Sequence, residues 1–95
     1  MGTERPTSTE NVDALLPAQC RAARALLDIN QQELARLADL GLSTVVDFER
    51  SRRVVSNDAI RSMRAALEGC GIEFLDENGG GPGLRLRQGP HEKEK

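Results

Sequence analysis

Tryptophan and tyrosine are absent from this 95-residue chain, and Phe48 and Phe74 are its only aromatic residues. A core must therefore be aliphatic, assembled from Leu, Ala, Ile and Val. Cysteine occurs only at Cys20 and Cys70, without the CxxC spacing of a metal or redox site. The two read as small, mostly buried thiols in a reducing compartment, with neither a disulfide nor a metal expected. No apolar run approaches the ~20 residues of a membrane span, and no charged-then-apolar signal pattern opens the sequence. A cytoplasmic protein without a membrane partner is the expectation. The length admits one small domain, a size at which dimerisation often adds stability.

Catalytic equipment is equally sparse. His91 stands alone in a charged tail, where a solvated imidazole is expected, and Ser43 and Ser51 have no histidine base to activate them. No nucleophile, base and acid form a set, so an enzyme is not expected. The glycines of 79–83 lack the Gly-Lys-Ser/Thr ending of a phosphate loop and precede no helix start. Asp76, Glu77 and Asn78 do not have the spacing of a calcium loop. No cofactor is implied.

The formal net charge is −2, which at first argues against nucleic acid as a partner. Its distribution says otherwise. Between residues 17 and 67 stand Arg21, Arg24, Arg36, Arg50, Arg52, Arg53, Arg61 and Arg64 against Asp28, Glu33, Asp39, Asp47, Glu49 and Asp58. The middle is mildly positive, and none of its bases is lysine. The planar fork of arginine suits phosphate and guanine, since it binds two acceptors at once.

Residues 1–16, rich in Thr, Ser and Glu, read as a flexible N-terminal arm whose end, 12–16, covers part of the core. Pro17 suits a first helical position. Residues 18–29 follow as a helix with Ala18, Ala22, Leu26 and Ile29 on one face. Asn30 caps a second helix over 31–38, with Glu33 placed for a capping box and Leu34, Ala35 and Ala38 facing inward. The sequence Asp39-Leu40-Gly41 breaks the pattern. A third helix over 42–50 turns Val45 and Phe48 (or Glu49) inward, and 51–55 is a basic loop. Ser56 caps a fourth helix carrying Ile60, Met63, Ala66 and Leu67, which ends at 69–71. Beyond it Ile72, Phe74, Leu84 and Leu86 alternate with polar residues around a glycine-rich turn, the pattern of a β-hairpin. Residues 89–95 read as a disordered tail. The domain proper is 17–70, and 71–88 is a hairpin extension whose apolar face, with little else to cover, is expected in a dimer contact.

Two short helices joined by a tight turn, the second with a polar outward face, is the plan of a helix-turn-helix. The run from Asn30 to Ala38, then Leu40, Ser43-Thr44-Val45 and Phe48-Glu49-Arg50-Ser51-Arg52-Arg53, resembles the Xre (phage-repressor-like) helix-turn-helix family. The likeness extends upstream through residues 20–27 and downstream to Ile60, Met63, Ala66 and Leu67. The ending 71–83 is similar to the tails of short single-domain Xre regulators of proteobacteria. The resemblance implies a mainly α-helical phage-repressor-like domain of four or five helices with a C-terminal β-hairpin. It implies that Gln31 bonds a DNA phosphate and braces the third helix, that Leu42, Ser43 and Asp47 face base edges, and that Thr44 lies near a phosphate or a thymine methyl. Arg50, Arg52 and Arg53 would hold the DNA backbone, and Arg24 and Glu49 match a buried ion pair linking the first and third helices.

Departures from the family pattern qualify the reading. Asp39 replaces the usual turn glycine, and Gly41 replaces the usual Ser or Thr cap. Asp47 has the chemistry to accept from a cytosine amino group, yet it repels phosphates. The expected function is a bacterial transcriptional regulator that binds double-stranded DNA sequence-specifically, as a homodimer on a palindromic site. The alternatives are a protein-interaction module built on a degenerate helix-turn-helix, with RNA polymerase or a phage protein as partner, or the antitoxin of a toxin–antitoxin pair.

Overall fold

The computed structural model describes residues 14–75 and 79–87. The arm before residue 14, including Val12, the turn residues 76–78 and the tail with His91 lie outside the described residues. The protein is mainly helical: α1 (Pro17–Leu27), α2 (Gln31–Ala38), α3 (Leu42–Glu49) and α4 (Asn57–Gly69), followed by an antiparallel hairpin of β1 (Ile72–Leu75) and β2 (Gly83–Leu86). Among the described residues no helix is long and apolar enough to cross a membrane.

Each helix begins where local chemistry permits. Pro17 opens α1, and the Gln19 side chain accepts the Leu16 N–H at 3.0 Å. Asn30 and Glu33 close a reciprocal capping box on α2, with bonds of 2.8 and 2.9 Å. Ser56 Oγ accepts the Ala59 N–H at 3.1 Å to start α4.

The first three helices end in one recurring device. Asp28, Asp39 and Ser51 each take a left-handed backbone, with φ of 59, 59 and 55°. Around each, the chain makes the paired bonds of a Schellman ending. Asp28 N–H donates to Ala25 O and Ile29 N–H to Arg24 O; Asp39 N–H donates to Arg36 O and Leu40 N–H to Ala35 O; Ser51 N–H donates to Phe48 O and Arg52 N–H to Asp47 O. Glycine is the usual occupant of this conformation, and aspartate tolerates it better than most residues. The residue beyond the turn folds back inward at Ile29 and Leu40, both half-buried against the core. The 18–29 helix of the sequence reading therefore stops at Leu27, because Asp28 reverses the chain.

The core gathers Leu15, Cys20, Ala23, Leu34, Ala35, Ala38, Val45, Phe48, Val55, Ala59, Met63, Leu67, Ile72 and Phe74. Leu34, Ala35 and Ala38 face inward as the periodicity predicts. On α1 the expected face is wrong: Ala18, Ala22 and Leu26 are exposed, and Cys20 and Ala23 are buried instead. Small or apolar residues run all round this helix, so its sequence offers two stripes. The buried one, with Cys20 and Ala23, is set by the elements α1 packs on, β2, α3 and α4. Cys70 also departs from expectation. It caps the C-terminal end of α4, outside the packed face, and is exposed.

The hairpin is part of this same core. Ile72 pairs with Leu86 and Phe74 with Leu84, placing all four on one face, while Glu73 and Arg85 pair on the other with an ion pair of 3.1 Å. β1 packs on α4 and β2 on α1, and Ile72 is fully buried. The premise that the hairpin's apolar face has little else to cover is thus corrected: α1 and α4 of the same chain cover it. Gln19 Nε2 donates to Gly83 O at 3.1 Å, and Arg87 N–H to Gly71 O at 2.6 Å, tying both ends of β2 down.

Candidate nucleic-acid interface

Beside the apolar core that α2 and α3 share with α4, one buried carboxylate ties the α2–turn–α3 segment to α1. Glu49, last residue of α3, is 2% exposed and is the one buried charged residue among those described. Arg24 of α1 grips it with two parallel bonds, Nε to Oε2 and Nη2 to Oε1, both 2.8 Å. Gln31, first residue of α2, donates from Nε2 to Oε1 at 3.0 Å, and the Cys20 thiol donates to Oε2 at 3.1 Å. Arg21 adds a bond from Nη1 to the Glu49 carbonyl at 2.5 Å, satisfying a C-terminal carbonyl of α3. Helices α1 and α2 thus converge on the end of α3 and fix its angle. An ion pair of this kind specifies geometry more than it adds net stability.

Burial alone would push the Glu49 carboxyl up. The hydrogen bonds from Arg24, Cys20 and Gln31, with the Arg24 charge, outweigh it and hold the group below the ordinary carboxylate range. The Cys20 thiol moves the other way: burial, then the hydrogen bond to Glu49 and its negative charge, push it far above the ordinary range. It is protonated at neutral pH and serves as a donor. In the native protein Cys20 is therefore expected to resist a disulfide reagent while Cys70 reacts, so that one thiol titrates before denaturation and two after it. Rapid reaction of both in the native state would contradict this picture of the network. The family resemblance paired Arg24 with Glu49 but did not bring in Cys20 and Arg21; a cysteine one helical turn before Arg24 was the available signal.

The outward side of α3 and the loop after it carry the remaining sequence-predicted residues. Leu42 and Ser43 are exposed, Thr44 is half-buried, and Asp47 lies one turn beyond Ser43 on the same helix face. Val45, Phe48 and Glu49 supply the opposite, buried side. Arg50, Arg52 and Arg53 are all exposed. Arg50 forms no ion pair or side-chain hydrogen bond among the described residues. Arg53 and Arg52 turn back toward Asp47: Arg53 Nε donates to Oδ2 at 2.7 Å, and Arg52 Nη1 stands 3.9 Å from Oδ1. Gln31 is half-buried, and only one of its two amide hydrogens is needed for the Glu49 bond.

Two apolar side chains border this surface, Leu42 at 44% exposure and Val54 at 94%. Val54 lies beside a shallow groove lined also by Pro17, Phe48 and Ile60.

No protein-family model matches the chain, and no curated protein matches it either.

Proposed function

We propose that the protein is a transcriptional regulator of the Xre type, which binds double-stranded DNA through a helix-turn-helix formed by α2 and α3 and acts without catalysis or cofactor. The observation that carries the reading is the division of α3. Its inner side is anchored on α1 and α2 through Glu49, while Ser43 and the half-buried Asp47 lie on the other side beside the exposed Arg50, Arg52 and Arg53. A rigid helix with a polar outer face and flanking arginines has the arrangement that major-groove reading requires.

The roles follow from this placement. Leu42 and Ser43 meet base edges, Asp47 stands beside them with its carboxylate held by Arg53, and Thr44 meets a phosphate or a thymine methyl. Gln31 uses one amide hydrogen on Glu49 and has the other for a phosphate, which couples backbone contact to the position of α3. No side chain caps the start of α3 at Gly41, so its first N–H groups remain for a phosphate at the positive end of the helix. Arg50, Arg52 and Arg53 hold the backbone. A homodimer of the chain would place two such helices on a palindromic site, with half-sites about 34 Å apart. The cytoplasm of a bacterium is the setting this function implies.

Selection from a random duplex pool by the purified protein at moderate salt tests the reading; enrichment of a palindromic site is the expected result. Arg52→Ala and Arg53→Ala are each expected to weaken binding to all sequences alike and to lower the slope of log affinity against log salt by about one unit. A loss confined to particular sequences would reassign these arginines to base reading. The exposed Leu42 and Val54 favour one second reading, a surface for a protein partner such as RNA polymerase, a phage protein or a toxin. Absence of enrichment, with only weak salt-sensitive retention, would select it.

A further inference from the structure

We propose that Asp47 is a brake on DNA affinity, one that engages Arg53 and Arg52 internally and makes phosphate compete for them. The inference rests on the reading that α3 and the loop after it face DNA. Asp47 belongs to the reading face of α3, yet its side chain is only 19% exposed, with Arg53 bonded to it and Arg52 close by. Oδ2 accepts from Arg53 Nε at 2.7 Å, and Oδ1 lies 3.9 Å from Arg52 Nη1. The backbone joins in, since the Asp47 carbonyl accepts the Arg52 N–H at 2.9 Å as part of the Schellman ending around Ser51. The turn that closes α3 therefore delivers both arginines to the carboxylate that precedes it. Arg50, the C-cap residue within this turn, has no such partner among the described residues.

The consequence is electrostatic. A half-exposed guanidinium paired with a carboxylate has part of its charge already neutralised, and the carboxylate itself repels any phosphate that approaches. Each backbone contact by Arg52 or Arg53 then replaces an internal ion pair instead of being added to a free cation. The penalty does not depend on base sequence, so Asp47 lowers affinity for every duplex by a common factor. It also leaves less of the total affinity to nonspecific backbone attraction, in keeping with a chain whose net charge is −2. Asp47 acts through the arginines and is not itself a base reader in this scheme.

The test is binding of the full chain to a mixed-sequence duplex and to a duplex enriched by selection, across several salt concentrations. The proteins compared are the wild type, Asp47→Asn, Arg53→Ala and the double variant. Asparagine keeps the size of the side chain and removes its charge, and a thermal melt checks that the fold is retained. Asp47→Asn is expected to bind both duplexes about three- to tenfold more tightly, with a steeper salt slope. Most of the gain is expected to vanish when Arg53 is alanine, because the released cation is then missing. Unchanged or weaker binding of Asp47→Asn to the mixed duplex would overturn the brake, as would a loss confined to the enriched site, which would make Asp47 a base reader. If neither wild type nor variant binds any duplex, the DNA reading itself falls and this inference with it; wild-type binding with an inert Asp47→Asn removes this inference alone.

Discussion

Glu49→Ala is expected to cost about 3–5 kcal/mol of folding stability, seen as a lower urea midpoint with an unchanged dependence on urea concentration. The side chain accepts four hydrogen bonds, two from Arg24 and one each from Cys20 and Gln31. Alanine removes every acceptor at once. It leaves the Arg24 guanidinium, whose side chain is 19% exposed, without its counter-charge, and it leaves the buried Cys20 thiol without its partner. Loss of one member of a buried pair costs more than the pair contributes, because the remaining charge must be desolvated alone. A domain of this size has a total stability on the order of 5 kcal/mol, so a large fraction of the variant should be unfolded near 37 °C. A loss below about 1 kcal/mol would mean that water reaches Arg24 freely and that the three helices do not depend on this junction.

The same carboxylate sets an acid limit. Its pKa in the folded protein lies below the ordinary value, so the unfolded chain binds the proton more readily. The stabilisation is present above the unfolded carboxyl pKa of about 4.3 and is lost as pH falls through the folded one. Glu49→Gln, which has no such proton to bind, should show a flatter decline in stability below about pH 4 than the wild type, although it starts lower.

Phe74→Ala is expected to cost about 3–4 kcal/mol, as much as a substitution in the helical core. The ring is 8% exposed, sits beside fully buried Ile72 in the shared cluster, and has the Arg64 guanidinium 4.9 Å from its centroid. Its cross-strand neighbour Leu84 is only half-buried, and Leu84→Ala should cost about 1 kcal/mol. The contrast separates two pictures of the hairpin. If β1 were an appendage, removing its aromatic would leave the urea midpoint nearly unchanged. If β1 completes the core, the loss is global, and truncation after Gly71 would unfold the four helices as well.

Much of this architecture was legible in the residues. Helix starts are local events, and the side chains that make them stand within three positions of the cap, as Asn30 with Glu33 and Ser56 with Ala59 do. The inner face of α2 was readable because Gln31, Gln32, Glu33 and Arg36 mark most of its other sides, although Leu37 is apolar and exposed. The hairpin was readable because alternation of Ile72, Phe74, Leu84 and Leu86 admits no helix. Helix α1 was misread for the opposite reason: alanines and leucines on several sides made its inward face a matter of which neighbour it met. The Schellman endings at Asp28 and Ser51 were missed because neither residue is glycine, the usual marker of that turn.

The site divides in the same way. Arginines at 50, 52 and 53 after a polar-faced helix are a property of the chain, and the pairing of Arg24 with Glu49 was implied by the family resemblance. Where each charge points is not such a property. Arg21 and Cys20 join Glu49, and Arg52 and Arg53 close on Asp47, only because α1 crosses the end of α3 and because Ser51 turns the following loop back. The sequence by itself determined where helices begin, which strands pair and which charges are available, since those depend on neighbours a few residues away. Only the tertiary structure decided which face of α1 is buried, that the hairpin closes the core of its own chain, and which arginines are already engaged. These depend on contacts between distant segments, whose energies no local pattern contains.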